Sequence, residues 1–247
     1  MLLKVMQGMN PSEFVNSCHE RLRTSQEGFD YLKGRNLSVD IIKEEKLGFC
    51  DYAIAKKFCD DANGRWKAGP SFFANRIVVP IRDDCGTVVA WASRSVDPNE
   101  KGWWNTPFGK EFVLYGLDAA RNAAFATNKI YIVEGYMDVL ALRVAGLRNI
   151  AAVMGSNLTL GHVGIILRYC NEIVFAFDGD APREINGIIE DGPGMKSLKR
   201  VVANYGKTSH FKNMAAILLP VPYDPAEYML ENGLDAFLGL EQNIIRD

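Results

Sequence analysis

From residue 130 onward the chain alternates between two periodicities, and few folds tolerate that alternation. Short runs rich in β-formers occupy 130–133, 150–154, 172–177 and 214–219. Helical stretches follow at 136–145, 159–169 and 193–204, and two short helices are expected after the last strand. Strand–helix–strand units with short connections predict a parallel sheet with helices packed on its faces. In such sheets ligands bind beyond the carboxyl ends of the strands.

Acidic residues fall at those ends. Glu134-Gly135 closes the first strand, Asp178-Gly179-Asp180 closes the third, and Asp224-Pro225-Ala226-Glu227 follows the fourth. Carboxylates at the ends of buried strands are costly to keep charged without a positive group among them. The simplest such group is a hard divalent cation held by oxygen, which points to magnesium and to chemistry on phosphates. Gly135 permits a sharp turn and a close approach to the backbone. Asp178 and Asp180, one residue apart, can share one cation or bridge two. Each cluster alone has an ordinary explanation, since Asp-Gly-Asp is a common turn sequence. Their common placement in one alternating unit makes them a candidate site.

The front of the chain reads differently. Residues 11–62 are mainly helical, with starts at Pro11-Ser12, Ser25 and Ser38. Ile77, Val79 and Ile81 alternate, Asp83-Asp84-Cys85-Gly86 breaks the run, and Val88–Trp91 resumes it, which predicts a β-hairpin over 76–96. Residues 97–112 form a polar and aromatic loop, and 113–129 a helical bridge. Trp66 and Trp91 read as core. Trp104 reads as a plug at the junction between modules, and Trp103 is open between packing and base stacking.

Net charge is −2, against a strong all-round nucleic-acid binder. Residues 1–129 carry 18 Lys/Arg and 16 Asp/Glu, and the remainder 10 and 14. The front therefore leans basic and the rear acidic. Five scattered cysteines form no C-x-x-C pair, so neither a zinc ribbon nor a disulfide framework is indicated. His19, His162 and His210 are dispersed and read as surface or packing residues. No apolar run reaches membrane-spanning length and no signal peptide is evident, so a cytoplasmic location is expected.

Val133-Glu134-Gly135-Tyr136-Met137-Asp138-Val139 followed by Asp178-Gly179-Asp180 resembles the TOPRIM module of bacterial DnaG-type primases. Upstream, Arg76–Asp83, Gly86 and Arg94 resemble that family's hairpin. Asn105-Thr106-Pro107, Lys110 and Leu114-Tyr115-Gly116-Leu117 resemble the segment after it. Tyr31–Ser38 and Leu47-Gly48-Phe49 resemble the helical start of its polymerase domain. The likeness covers nearly the whole chain in order.

The resemblance implies an α/β fold: a TOPRIM-type parallel sheet flanked by helices, preceded by a smaller mixed α+β module. It divides the chain into 1–117 for template and nucleotide contacts, 118–223 for the catalytic TOPRIM domain, and 224–247 for the start of a helical segment. It implies a primase that makes short RNA primers on single-stranded DNA from nucleoside triphosphates. Two divalent cations, Mg²⁺ or Mn²⁺ and no zinc, would be held by Glu134, Asp178, Asp180, Asp224 and Glu227, the first three being catalytic. Arg35, Arg94, Lys101 and Lys110 would meet nucleotide or template. For Lys101 the family's lysine falls one position later, at Gly102. A replicative helicase or other replication protein is the expected partner, with no membrane.

The chain also departs from the pattern. Ala226 stands where a second aspartate is common, leaving Glu227 as the substitute. Residues 181–191, with Arg183, Glu184, Glu190 and Asp191, replace a short step into the next helix and read as a decorating loop. No Cys/His set for the family's zinc module is present, nor a helicase-contacting domain. The expectation is therefore a compact core of viral or mobile-element type, or a piece of a longer protein. A TOPRIM nuclease and a non-catalytic DNA- or replication-protein-binding module are the alternatives.

Overall fold

The computed structural model describes residues 10–61, 68–155, 158–185, 188–206 and 211–246. Trp66 and His210 lie outside them, as do the side chains of Arg183 and Glu184. The chain divides into two units, one comprising residues up to Arg82 with Thr87–Gly109, the other Asp83–Gly86 with Lys110–Asp247.

In the first unit, helices α1 (Pro11–Leu22), α2 (Gln26–Gly34) and α3 (Val39–Glu44) precede strand β1 (Gly48–Cys50). The Asn10 side chain accepts from the Ser12 N–H, with Pro11 at the first helical position, so α1 starts where its fixed φ is an asset. Ser25 and Ser38 cap α2 and α3 through the N–H groups of Gly28 and Ile41. Helices α4 (Tyr52–Asp61) and α5 (Pro70–Phe73) lead to β2 (Arg76–Arg82), β3 (Val88–Ser95) and β4 (Trp104–Asn105). The sheet order is β1-β2-β3-β4, antiparallel throughout. β2 and β3 form the hairpin expected at 76–96, and Gly86 takes the left-handed conformation at its turn (φ 92°). β1 lies inside the stretch read as mainly helical. Three residues cannot display a period, and only pairing with β2 makes them a strand.

Trp91 is 1% exposed, and the Phe14 ring stacks on it at 4.4 Å. Trp104 packs edge-on against Phe73, 5.0 Å between centroids, at the margin of this aromatic cluster.

The main stretch of the second unit opens with a 3₁₀ turn at Lys110–Phe112 and α6 (Leu117–Thr127). Then come β5 (Lys129–Val133), α7 (Tyr136–Val144), β6 (Ile150–Ala152), α8 (Leu160–Ile166) and β7 (Glu172–Phe175). A ribbon of β8 (Arg183–Ile185) and β9 (Ile188–Glu190) precedes α9 (Pro193–Tyr205). The unit ends with β10 (Asn213–Ile217), α10 (Pro225–Asn232), α11 (Leu234–Leu238) and β11 (Glu241–Arg246). The sheet order is β11-β10-β7-β5-β6. β6, β5, β7 and β10 run parallel, and β11 returns antiparallel. Ile130, Ile132, Phe175, Leu198 and Val201 share the buried cluster between sheet and helices. This is the mixed α/β architecture expected from the alternation.

Two local expectations are corrected. The stretch read as an irregular loop at 181–191 contains the antiparallel ribbon β8–β9. The C-terminal stretch read as helical ends in β11, because the free edge of β10 satisfies its backbone groups and Ile244 packs on the core. Among the described residues no helix is long and apolar enough to cross a membrane.

Candidate active site

The carboxyl ends of β5 and β7 are adjacent in the sheet, and each delivers acid. Ile132 pairs with Phe175, and beyond that register the Ala176 N–H still donates to the Ile132 carbonyl at 2.9 Å. Glu134 and Asp178 therefore leave the sheet side by side, one residue beyond β5 and three beyond β7.

The Asp178-Gly179-Asp180 backbone is held from two directions. A Cβ on Gly194, in the first turn of α9, would stand 2.2 Å from the Asp178 carbonyl oxygen, and one on Gly192 2.3 Å from that of Asp180. On the other side, a Cβ on Gly179 would meet the carbonyls of Pro220 and Leu219 at 2.7 and 2.8 Å. The Gly179 N–H donates to the Tyr223 carbonyl at 2.9 Å. Glycines at 179, 192 and 194 thus allow three backbone segments to converge on the two aspartates. The Gly194 N–H donates to Asp180 Oδ2 at 3.3 Å, at the positive end of α9. A cavity of about 210 Å³ adjoins them, lined by Asp178, Asp180, Met195, Leu198, Leu218 and Val221 among others.

The carboxylates share one electrostatic environment. Burial, then Asp178 and Asp180, raises Glu134 to about 7. Burial, then Asp224, Asp180 and Glu227, raises Asp178 to about 6. Asp178 is thereby within electrostatic reach of four other acids, gathered from distant parts of the sequence. Asp224 also has an ordinary role, since its side chain caps α10 by accepting from the Glu227 N–H at 2.7 Å. Glu227 is exposed.

Sequence reasoning assigned no role to Asp138, although it quoted the residue in a motif. Asp138 is the third residue of α7 and accepts from the N–H of Gly135, the residue just before that helix, and from that of Ala226 at the start of α10. It therefore joins two helix N-termini, both partially positive. Burial, then Asp224 and Asp178, still raises it to about 8. A helix-start acid three positions after Gly135 was the available signal; its contact with Ala226 was not.

A divalent cation fits this chemistry by one structural test. Glu134 Oε1 is buried and has no hydrogen-bond partner, and burial together with the charges of Asp178 and Asp180 raises its pKa. Uncompensated carboxylate oxygens of this kind suit a hard cation. As placed, however, no three described His, Cys, Asp or Glu side chains form a closed ligand set. The acids are gathered, but their side chains are not arranged as a finished cage.

The predicted cations divide between the units. Arg35 follows α2, exposed, with its guanidinium 5.7 Å from the Tyr31 ring centre. Arg94 lies on β3, 5.9 Å from the Trp103 ring centre. Lys101 is exposed in the loop before β4. Lys110 belongs to the second unit, where its ammonium approaches the Met154 carbonyl at 3.5 Å, just beyond β6.

Known proteins share this layout. Residues 17–121 match the family model for the DNA primase catalytic core, N-terminal domain, and residues 128–211 that for the Toprim domain. A DNA primase of Pseudomonas putida is 30% identical over 92% of the chain, which spans 36% of that relative's length. A crystal structure of a DNA primase domain from Pseudomonas aeruginosa superposes with a TM-score of 0.75 at 27% identity, covering 95% of this chain and 78% of that one. The DnaG primase catalytic domain bound to single-stranded DNA gives 0.71 at 22% identity, covering 94% and 80%. With a DNA primase N-terminal domain followed directly by a Toprim domain, and a DNA primase 30% identical across 92% of it, the chain belongs to the bacterial DnaG-type primases and matches their catalytic core.

Proposed function

We propose that this core makes short RNA primers on a single-stranded DNA template. The supporting observation is the buried, unpartnered oxygen of Glu134 beside Asp178, at the carboxyl ends of adjacent parallel strands. Glu134, Asp178 and Asp180, with Asp224 and Glu227 at the margin, are the groups that would hold Mg²⁺ or Mn²⁺, two ions in all. The cations, when bound, neutralise charge on the attacking and leaving oxygens of an in-line displacement.

The reaction joins a primer 3′-hydroxyl to the α-phosphorus of an incoming nucleoside triphosphate, with pyrophosphate leaving. The chain's own residues position the partners. The glycine-packed backbone at 178–180 fixes two carboxylates without relying on side-chain packing. Asp138 ties the start of α7 to the start of α10, and so sets Glu134 and Asp224 relative to each other. Lys110, Arg35, Arg94 and Lys101 supply positive charge for the triphosphate and the template backbone. The solved relative with single-stranded DNA supports the template assignment by analogy. A replicative helicase or other replication protein would bring this core to its template, in the cytoplasm.

The test incubates the chain with single-stranded DNA, ribonucleotides and Mg²⁺ or Mn²⁺. Oligoribonucleotides that disappear in Asp178→Asn support the proposal. Shortened template identifies a nuclease, and template retention without product identifies a binding module. Synthesis that survives Asp178→Asn refutes the site assignment.

A further inference from the structure

His162 does more than fill space. It is 1% exposed and sits at the third position of α8, three residues after Thr159, which caps the helix start. The Thr159 hydroxyl accepts from the His162 backbone N–H, and His162 Nδ1 lies 3.2 Å from the Thr159 N–H. Nδ1 must therefore accept, so the ring proton resides on Nε2. Nε2 in turn lies 2.6 Å from the Lys110 carbonyl and 3.1 Å from that of Val113, and it donates to both. Burial pushes the imidazole pKa down, against the two carbonyls and Glu111, which keeps this neutral tautomer.

The rest of the α8 start grips the same turn. The Thr159 hydroxyl donates to the Glu111 carbonyl at 2.8 Å. A Cβ on Gly161 would come within 2.2 Å of that carbonyl. The 3₁₀ turn at Lys110–Phe112 is thus seated on α8 by contacts from residues 159, 161 and 162. Its Lys110 side chain reaches toward Met154, beyond the carboxyl end of β6, the neighbour of β5, which Glu134 follows.

We propose that His162 is a positioning residue for nucleotide binding: by bridging the Lys110 and Val113 carbonyls, it fixes where the Lys110 ammonium meets the triphosphate. This rests on the reading of Lys110 as a phosphate contact. His162 touches no substrate itself. Its imidazole supplies one N–H to two carbonyls, and an apolar replacement leaves both without that donor.

The experiment measures KM for nucleotide and kcat in primer synthesis, with melting temperature recorded for each protein. Lys110→Ala raises KM by about tenfold, the scale of one lost charge-assisted contact. His162→Leu raises KM by a similar factor, and the double variant is no worse than Lys110→Ala alone, because the two act through one group. Multiplying effects in the double variant overturn the proposal, as does a parental KM in folded His162→Leu. Should the leucine variant not fold, His162→Gln takes its place. A raised KM that vanishes in the Lys110→Ala background then supports the proposal, and a parental KM overturns it. If Lys110→Ala leaves KM unchanged, the Lys110 reading falls and this proposal with it, while the dependence of synthesis on Asp178 is read separately.

Discussion

Gly194→Ala adds one methyl group and tests whether the backbone at Asp178 is held where catalysis needs it. The new Cβ would lie 2.2 Å from the Asp178 carbonyl oxygen, 3.0 Å from its nitrogen and 3.1 Å from its carbonyl carbon. All three are backbone atoms at the end of the sheet, so no side chain can swing aside. Relaxed non-bonded contacts lie at roughly 3.5–4.0 Å, so strand end and helix must part by about 1 Å. Overpacking of this kind costs about 1–3 kcal/mol, and the better helix propensity of alanine offsets about 1 kcal/mol of it. Net destabilisation is then up to about 2 kcal/mol, read as a lower urea midpoint at unchanged slope. Displacement of a reacting group by about 1 Å costs on the order of a hundredfold in turnover. Activity should therefore fall far more than stability. Gly164→Ala in α8 is the control: its Cβ meets nothing within 4 Å, so stability should hold or rise by up to about 1 kcal/mol with turnover unchanged. A Gly194→Ala protein with parental turnover and midpoint would refute the backbone-clamp reasoning.

Two further predictions concern the first unit. Asp51 accepts from the Ile54 N–H at 2.9 Å and pairs with Arg21; burial opposes its charge, but the N–H and the guanidinium prevail and lower its pKa. A lowered carboxyl pKa stabilises the fold above the unfolded value of about 3.9, and that stability is lost as pH falls through the folded value. Asp51→Ala should thus cost about 1 kcal/mol at neutral pH, with the gap from the parent closing below about pH 4; a gap that persists at pH 2 contradicts the assignment. Glu45 is 2% exposed and its carboxylate lies 3.3 Å from Arg82, whose guanidinium also donates to the Glu45 carbonyl at 2.9 Å. Glu45→Ala removes a buried charge-assisted hydrogen bond from that guanidinium and should cost about 1.5–3 kcal/mol in urea denaturation; a loss under about 1 kcal/mol would show that solvent screens the pair.

Much of the architecture was legible because its signals are local. Ser25 and Ser38 mark helix starts through hydrogen bonds that span three residues. Strand and helix periods at 130–205 expose the alternation, and short connections force parallel pairing. Glu134 and Asp178 could be placed at strand ends by counting. β1 and β11 could not be read, since each is a strand only by virtue of a distant partner, β2 or β10. The ribbon at 183–190 likewise depends on the two halves of an insertion meeting each other.

The amino-acid order alone established the parallel sheet of the second unit and the acids it would carry at one end. Three-dimensional packing decided what those acids experience. Asp138 looks like any helix-start carboxylate until α10 arrives with the Ala226 N–H and Asp224. His162 looks like an isolated histidine until the turn at Lys110, some fifty positions earlier, is laid across it. The reason is physical: hydrogen bonds to near neighbours are encoded by spacing, whereas burial, like-charge repulsion and backbone-to-backbone contact exist only once remote segments share the same space.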